Sequence, residues 1–523
     1  MNENFNYLFY YVDKEGILFD KTEFLFQIQS HPDYPSLLSI SDTLTFFNID
    51  NGAIRVDFSD LELLPKRFVT LLNKTNNKPK LCFIEKKENK YLITEDKKTI
   101  EINILDLEKK WSGIALLVEK SEFESSKSNS SNFSWVLPIL CLFFFVVVIL
   151  KFEVSLFSKL FFIFPIIGML FSIAALKDLF GDKSQIINNF CNITASTSCE
   201  SIVGSDKWKI FSYINFSDLA IVFFSSQFLE LLIILVSGNS FDFFTIQSIL
   251  LFGSVPVILL SLYFQKFVEK KWCPICLVII LIIILEIIYL VSYIDLNFNF
   301  SFQSLLLFGL VFLFTALVWK NLKKLLINQK ELKENQLKSN RFLRNYEIFK
   351  NTLISKEKAE LPFTPIVLGN KESKTVITII TSPFCSYCKE AHEIIERILD
   401  KNEYDLQIKL IINVDLERFE DDKKLFLRSL MNIYFNETNL ILRSKMDNWY
   451  YSNNITNWLH KYKSIDFDFS KIDAIYNSQN NFCTNNGYNY TPAIYINGFE
   501  YPRLYDRSNL EFFINELIED NNF

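Results

Sequence analysis

Polar and apolar positions are spread unevenly along the 523 residues. Over the first 122 they alternate in short periods. Phe24 to Phe47 has helical spacing broken at the Pro32–Pro35 turn, Lys80–Glu85 and Tyr91–Glu95 alternate as a hairpin, and Ile114–Glu119 reads as a final strand. These elements predict a small mixed α/β domain over 1–122. The stretch SEFESSKSNSSN that follows has no apolar period, so 123–132 reads as a linker.

Between Phe133 and Trp319 the polar residues thin out. Six apolar runs there are long enough for a bilayer core of about 30 Å. They are Ser134–Leu150, Leu160–Leu176, Tyr213–Val236, Phe243–Phe264, Cys273–Tyr293 and Leu305–Trp319, the last short unless it starts near Phe300. The pattern predicts an α-helical transmembrane bundle of about six spans over 133–322. Asp218, Glu230 and Glu286 interrupt it. Carboxylates are costly in lipid, so they are expected to face the bundle interior or lie near its ends. A charged, helix-prone connector (323–361) follows. A second soluble domain (362–523) then opens with strand Val376–Thr381, a helix over Cys385–Leu399 and strand Leu406–Val414. It continues mostly helical from Asp421 to Phe482, returns to strand at Ala493–Ile496, and closes with a helix over Glu511–Glu519. That alternation predicts an α/β sheet with crossover helices.

Composition narrows the class. Half of the residues are hydrophobic, 54 are Phe, 22% are charged and the net charge is −6. With 12 Gly and 13 Pro, a disordered, collagen-like or nucleic-acid-binding chain is excluded. Nine Cys are too few for a disulfide-stapled scaffold. Asp13, Lys14, Glu15, Asp20, Lys21 and Glu23 interrupt the first 25 residues, so no signal peptide is expected.

Six of the nine Cys fall in three pairs: Cys191/Cys199, Cys273/Cys276 and Cys385/Cys388. In the last, VITIIT runs into SPFCSYCKEAHEII, which puts Cys385 at the first turn of a helix. Unpaired N–H groups and the helix dipole there favour a thiolate, the attacking form. Cys388, one turn on, can resolve a mixed disulfide. The competing reading is half of a zinc site, opposed by the lack of a second CxxC or His pair at ligand spacing. Haem attachment fails because Lys389, not His, follows Cys388. With Thr491-Pro492 before the strand AIYI, this region resembles the thioredoxin superfamily, and its helical insert resembles the bacterial disulfide-exchanging branch. The resemblance implies a cis-proline loop at Thr491 and Pro492 beside the CxxC.

Cys273-Pro-Ile-Cys276 opens the apolar run LVIILIIILEIIYL. A CxxC at the membrane end of a helix can exchange with a soluble dithiol and meet a lipid-soluble redox partner; two packing cysteines are the alternative. Cys191 and Cys199 lie eight residues apart in the polar loop FCNITASTSCESIVGSDKW. A loop pair, two spans and then a CxxC opening the next span resemble the vitamin K epoxide reductase family over about residues 157–322, with Ser134–Leu150 having no counterpart. Bacterial members often carry a fused thioredoxin-like domain. The resemblance implies a quinone acceptor of the ubiquinone or menaquinone type reduced next to Cys276, no metal, and thiol-bearing client proteins or peptides. Cys82, Cys141 and Cys483 read as ordinary buried or packing cysteines. His392, four residues after Cys388 on the same helix face, either tunes the thiol or takes a packing or solvent-facing role.

HPDYPSLLSISDTLTFFNID, the hairpin and DLEKKWSGIALLVE resemble the α+β papain-like peptidase domain of bacteriocin exporters. That family needs a Cys nucleophile early in the chain and a His on the central strand. Here residues 1–31 hold no Cys, the strand position falls near Leu81 and Cys82, and His31 lies in a turn. The domain therefore reads as non-catalytic, either a peptide-binding module or purely structural.

Taken together, the resemblances imply a quinone-linked thiol oxidoreductase in the bacterial inner membrane. Six spans would put all three cysteine pairs on one face. That face would carry seventeen Lys and Arg against Lys151 and Lys159 opposite, which predicts the cytoplasm. Disulfide formation belongs in the periplasm. Eight of the seventeen sit in the helical connector and inflate the count, so the periplasmic orientation is preferred. A membrane-anchored accessory for exported peptides, or a reductase running electrons outward, are the other functional readings.

Overall fold

The computed structural model describes residues 5–74, 77–87, 90–95, 98–119, 136–151, 155–176, 209–210, 214–237, 240–268, 270–292, 301–463, 469–488, 490–520 and 523. The chain forms two compact units. One joins Met1–Ser126 with Gln336–Phe523, and the other is Lys127–Asn335.

In the first unit the N-terminal part is a six-stranded antiparallel sheet with helices packed on it. The strands are β1 (Asp50–Arg55), β2 (Arg67–Lys74), β3 (Asn77–Lys87), β4 (Lys90–Glu95), β5 (Lys98–Ile102) and β6 (Trp111–Glu119), in the order β1-β6-β2-β3-β4-β5. The expected hairpin pairs Ile84 with Ile93 and Glu85 with Leu92. The interrupted helical run becomes two helices, Lys21–Gln29 and Leu37–Phe46. Asp20 caps the first by accepting from the Thr22 and Glu23 N–H groups. Ser36 and Ser39 cap the second reciprocally. Tyr11, Phe24, Val69, Phe83 and Leu116 fill the core between helices and sheet. His31 stays in the turn between those helices, its Nε2 3.1 Å from Asp42 Oδ2. Cys82 is buried on β3 opposite Thr70.

The same unit contains the C-terminal α/β domain. Its strands are β7 (Val367–Gly369), β8 (Val376–Thr381), β9 (Gln407–Ile412), β10 (Ala493–Ile496) and β11 (Phe499–Glu500), ordered β11-β10-β8-β9-β7. β8 and β9 run parallel in register Ile377↔Ile408, joined by the crossover helix Ser386–Asn402. β10 lies antiparallel to β8. Four helices between Asp421 and Asn485 cover the domain, with Phe426, Trp449, Trp458 and Tyr476 buried among them. Within this unit Phe46 stacks on Phe512 at 6.0 Å, the Arg344 guanidinium lies 3.8 Å from the Phe512 ring centroid, and Arg341 Nε donates to Gln29 O at 2.7 Å. These contacts join the N-terminal sheet domain to the C-terminal one.

The second unit is helical. Among the described residues four helices are long and apolar enough to cross a membrane: Leu156–Ala175, Asp242–Val268, Pro274–Val291 and Phe302–Leu343. Val136–Lys151 is apolar but has only 16 residues, about 24 Å of helix. Phe216–Ser237 is a further helix of 22 residues. Of the six expected spans, four are met among the described residues by helices of sufficient length and composition, and a count of six is not confirmed. The last does not stop at Trp319: it continues as one helix of 42 residues into the connector, because the residues beyond it are strong helix formers. All three carboxylates are buried. Asp218 accepts from Trp319 Nε1 at 3.0 Å and pairs with Lys323 Nζ at 2.6 Å; Glu286 accepts from Gln227 Nε2 at 3.1 Å. Pairing of this kind is what lets a carboxylate sit inside an apolar bundle.

Candidate active site

The run of buried β-branched residues in β8 fixes where the C-terminal CxxC begins. The chain leaves β8 through Ser382-Pro383-Phe384 and enters helix Ser386–Asn402 with Cys385 as its N-cap. Trp449 Nε1 donates to Pro383 O at 2.8 Å, and Phe384 packs edge-on against Phe419 and Trp449. These contacts hold the turn that presents Cys385. Its Sγ lies 3.5 Å from Thr491 O, in the loop whose Thr491–Pro492 bond is cis. The loop that holds Pro492 thus lies next to Cys385.

The two sulfurs differ. Cys385 is partly exposed and Cys388 is fully buried. Burial pushes the Cys385 thiol up, but hydrogen bonds from Thr491, the Cys388 thiol and the N–H groups of Tyr387 and Cys388 outweigh it and leave it below the ordinary thiol range. Burial dominates at Cys388 and raises it, with Thr381 and the Ser382 N–H opposing and Cys385 adding to the rise. A soluble partner can reach Cys385 and not Cys388.

His392 is buried rather than solvent-facing. Its Nε2 lies 3.2 Å from Asp447 Oδ1 and 3.6 Å from Glu396 Oε1, and its ring packs at 4.7 Å on Tyr450. His392, Glu396 and Asp447 form a set of possible metal ligands. Arg443 Nε already holds Glu396 at 2.6 Å, so the set reads as an ion-pair network. Cys483 is buried against Ile380, Ile411, Ala493 and Tyr495, and burial pushes its thiol up to about 11.

The second CxxC is built differently. Cys273 is the N-cap of Pro274–Val291, with Pro274 at the first helical position, where its missing N–H costs nothing. The Cys276 N–H donates to Cys273 Sγ at 3.3 Å. The Cys273 N–H donates to Gln265 Oε1 at 3.0 Å, and Gln265 Nε2 donates to Ser261 Oγ at 3.2 Å. Both sulfurs are buried in a cluster with Phe161, Phe224, Phe243 and Ile279. Sequence reasoning missed Gln265, which only the chain reversal before Cys273 brings back. It also missed Thr381, Asp447 and Tyr450, for which no local signal exists. Cys191 and Cys199 lie outside the described residues, and Cys141 is exposed on Val136–Lys151.

Residues 159–291 match the model of the vitamin K epoxide reductase family, and residues 363–516 match a thioredoxin model. The chain carries a vitamin K epoxide reductase domain and a thioredoxin-like domain. Val136–Lys151 precedes the first match, in keeping with its lack of a counterpart. The reductase domain contains Cys191, Cys199, Cys273 and Cys276, and the thioredoxin-like domain contains Cys385, Cys388, Thr491 and Pro492. With the four apolar helices, these domains describe a membrane protein and support a thiol–disulfide oxidoreductase.

Solved structures add likenesses at low identity. The peptidase domain of Streptococcus ComA, a bi-functional ABC transporter involved in quorum sensing, is 13% identical and covers 21% of this chain and 85% of its own, with a TM-score of 0.19. The thiol-disulfide exchange protein alpha-DsbA2 from Wolbachia pipientis is 14% identical over 34% of this chain and 96% of its own, TM-score 0.24. Oxidised BdbD from Bacillus subtilis is 9% identical over 31% and 100%, TM-score 0.24. No curated protein matches the chain.

Proposed function

We propose that the protein forms disulfides in client proteins or peptides and passes the electrons to a quinone of the ubiquinone or menaquinone type. The observation that carries this is a CxxC at two helix N-termini in opposite surroundings. One is partly exposed beside a proline loop; the other is buried at the head of an apolar helix.

In this reading a client thiolate attacks Cys385 Sγ, the Cys385–Cys388 bond breaks, and a second client thiolate displaces Cys385 to leave the client disulfide. Cys191/Cys199 reoxidise the pair and in turn reduce Cys273/Cys276. Each step is thiol–disulfide exchange down a ladder of potentials. The buried, aromatic-rich surroundings of Cys273 and Cys276 fit a planar, lipid-soluble acceptor. A bound quinone supplies the two-electron sink that keeps net flow towards oxidation. Cys276 is the sulfur assigned to it, and Gln265 holds the Cys273 backbone in place. The orientation assigned is periplasmic for the cysteine face, since newly exported clients are where disulfides persist.

The test is quinone reduction by purified protein given a reduced dithiol substrate, beside Cys276→Ala. Turnover that vanishes in the variant supports the path. No turnover with any quinone, with all cysteines intact, sinks it and favours the accessory that binds exported peptides.

A further inference from the structure

Cys273 stands at a point where the helix after it offers its backbone no partner. It is the N-cap of Pro274–Val291, at φ −97° and ψ 108°, so its N–H lies outside the helical ladder. Cys273 is fully buried, and a buried N–H that meets nothing is costly. The partner comes from the chain before it. Gln265 Oε1 accepts this N–H at 3.0 Å. Gln265 is itself fully buried and lies in the π-helical turn Phe264–Val268, where the preceding helix ends. The other end of its amide is also tied: Nε2 donates to the hydroxyl of buried Ser261 at 3.2 Å, four residues back. With the nitrogen engaged there, the amide turns its oxygen, the end that can accept, toward Cys273. Held in this way, the Cys273 side chain acts as a capping oxygen would. Its Sγ accepts the Cys276 N–H at 3.3 Å.

We propose that Gln265 is the positioning residue that sets the redox poise of Cys273/Cys276: it holds Cys273 at the N-cap, where the reduced sulfur caps the helix. This rests on the reading of Cys273/Cys276 as an exchanging pair. Reduction breaks the Cys273–Cys276 bond and leaves two electrons and two protons on the two sulfurs. The Cys191/Cys199 dithiol gives up both and becomes a disulfide. A reduced Cys273 sulfur can take up negative charge and a disulfide sulfur cannot. An N–H bond to a charged acceptor is about twice as strong as one to a neutral acceptor. The cap therefore favours the reduced pair, which makes Cys273/Cys276 the stronger oxidant of the loop cysteines. Without Gln265 the Cys273 backbone is free to leave the N-cap conformation. The Cys276 N–H then loses the sulfur, and the preference for the reduced pair falls.

The full chain in detergent, stripped of quinone, is equilibrated with glutathione redox buffers from a fully oxidised and from a fully reduced start. It is quenched in acid and unfolded, its thiols are alkylated, and peptide mass spectrometry gives the fraction of each disulfide. Wild type is expected to reach one end point from both starts, because the Cys385/Cys388 and loop pairs relay exchange to the buried one. In Gln265→Leu the Cys273/Cys276 midpoint should move to an about tenfold higher ratio of squared reduced to oxidised glutathione, about 30 mV, with the Cys385/Cys388 midpoint in place. Ser261→Ala, which frees the amide to turn over, should move it the same way by less, and Ser261→Thr should match wild type. A wild-type midpoint in Gln265→Leu overturns the proposal. So does an equal displacement of both pairs, the mark of general damage. If Gln265→Leu does not fold, a wild-type midpoint in Ser261→Ala overturns it instead. A wild-type membrane pair that never converges from the two starts removes the exchanging-pair reading, and the proposal with it. Loss of quinone reduction alone leaves this measurement untouched.

Discussion

Glu516 offers a sharp test of how the N-terminal sheet domain and the thioredoxin-like domain sit within their common unit. It lies on helix Ile514–Glu519, four residues after Phe512, whose ring stacks on Phe46. Burial raises its carboxyl from 4.5 to about 7; Asp42 of the N-terminal domain and Glu519 add to the rise, and His31 opposes it. The folded-state value is above the unfolded one, so the stabilisation is fully present below about pH 4.5 and is lost as the pH rises through 7. A gap of about 2.5 units, at about 1.4 kcal/mol each, makes that loss about 3 kcal/mol. Glu516→Gln keeps the shape and cannot ionise. Its unfolding free energy should match wild type near pH 4.5 and exceed it by about 3 kcal/mol at pH 8. Urea unfolding followed through the buried Trp449 and Trp458 reads this directly. Asp42→Asn, which removes a neighbouring negative charge, should move the midpoint down. A stability gap that does not change with pH, or wild type the more stable at pH 8, refutes the reasoning.

Two further outcomes follow from named contacts. Cys388→Ala leaves Cys385 able to attack but unable to be released internally, so the variant should accumulate mixed disulfides with clients on non-reducing gels, and Cys385→Ala should not. Asp218→Asn strips the buried partner of Lys323 and should lower stability by about 3–5 kcal/mol, whereas Asp218→Asn combined with Lys323→Met should recover much of it, both read from thermal unfolding in detergent.

The parts that sequence made plain are those specified locally. The two CxxC motifs at helix starts needed only a strand or loop before them and a helical run after them, and the Tyr91–Glu95 hairpin needed only alternation. Paired partners far apart in the chain were invisible. Asp218 pairs with Lys323 across 105 positions, and His392 with Asp447 across 55. Such pairs depend on which helix faces pack together, which periodicity does not encode. Gln265 escaped notice for the same reason, although it lies only eight positions before Cys273. The extent of Phe302–Leu343 was hidden for another reason. A change from apolar to charged residues reads as a boundary, but the backbone continues in one helix because both stretches are good helix formers.

The two CxxC motifs share one local device and differ in what surrounds it, and that difference makes a prediction about reactivity. Alkylation needs both thiolate and access. Cys385 has both: it is partly exposed, and its hydrogen bonds leave its thiol below the ordinary range. Cys388 has neither, being fully buried and raised. Cys273 and Cys276 are 0% and 5% exposed in an apolar cluster, so a water-soluble reagent lacks a path to them. Iodoacetamide added to the reduced chain should therefore modify Cys385 well before Cys388, Cys273 or Cys276, as read by peptide mass spectrometry over time. Its rate should reach half-maximum at a pH below that of an ordinary thiol. Equal early labelling of Cys276 would mean that water reaches the membrane CxxC. Burial would then no longer separate the two motifs, and the proposed division of labour between them would lose its physical basis.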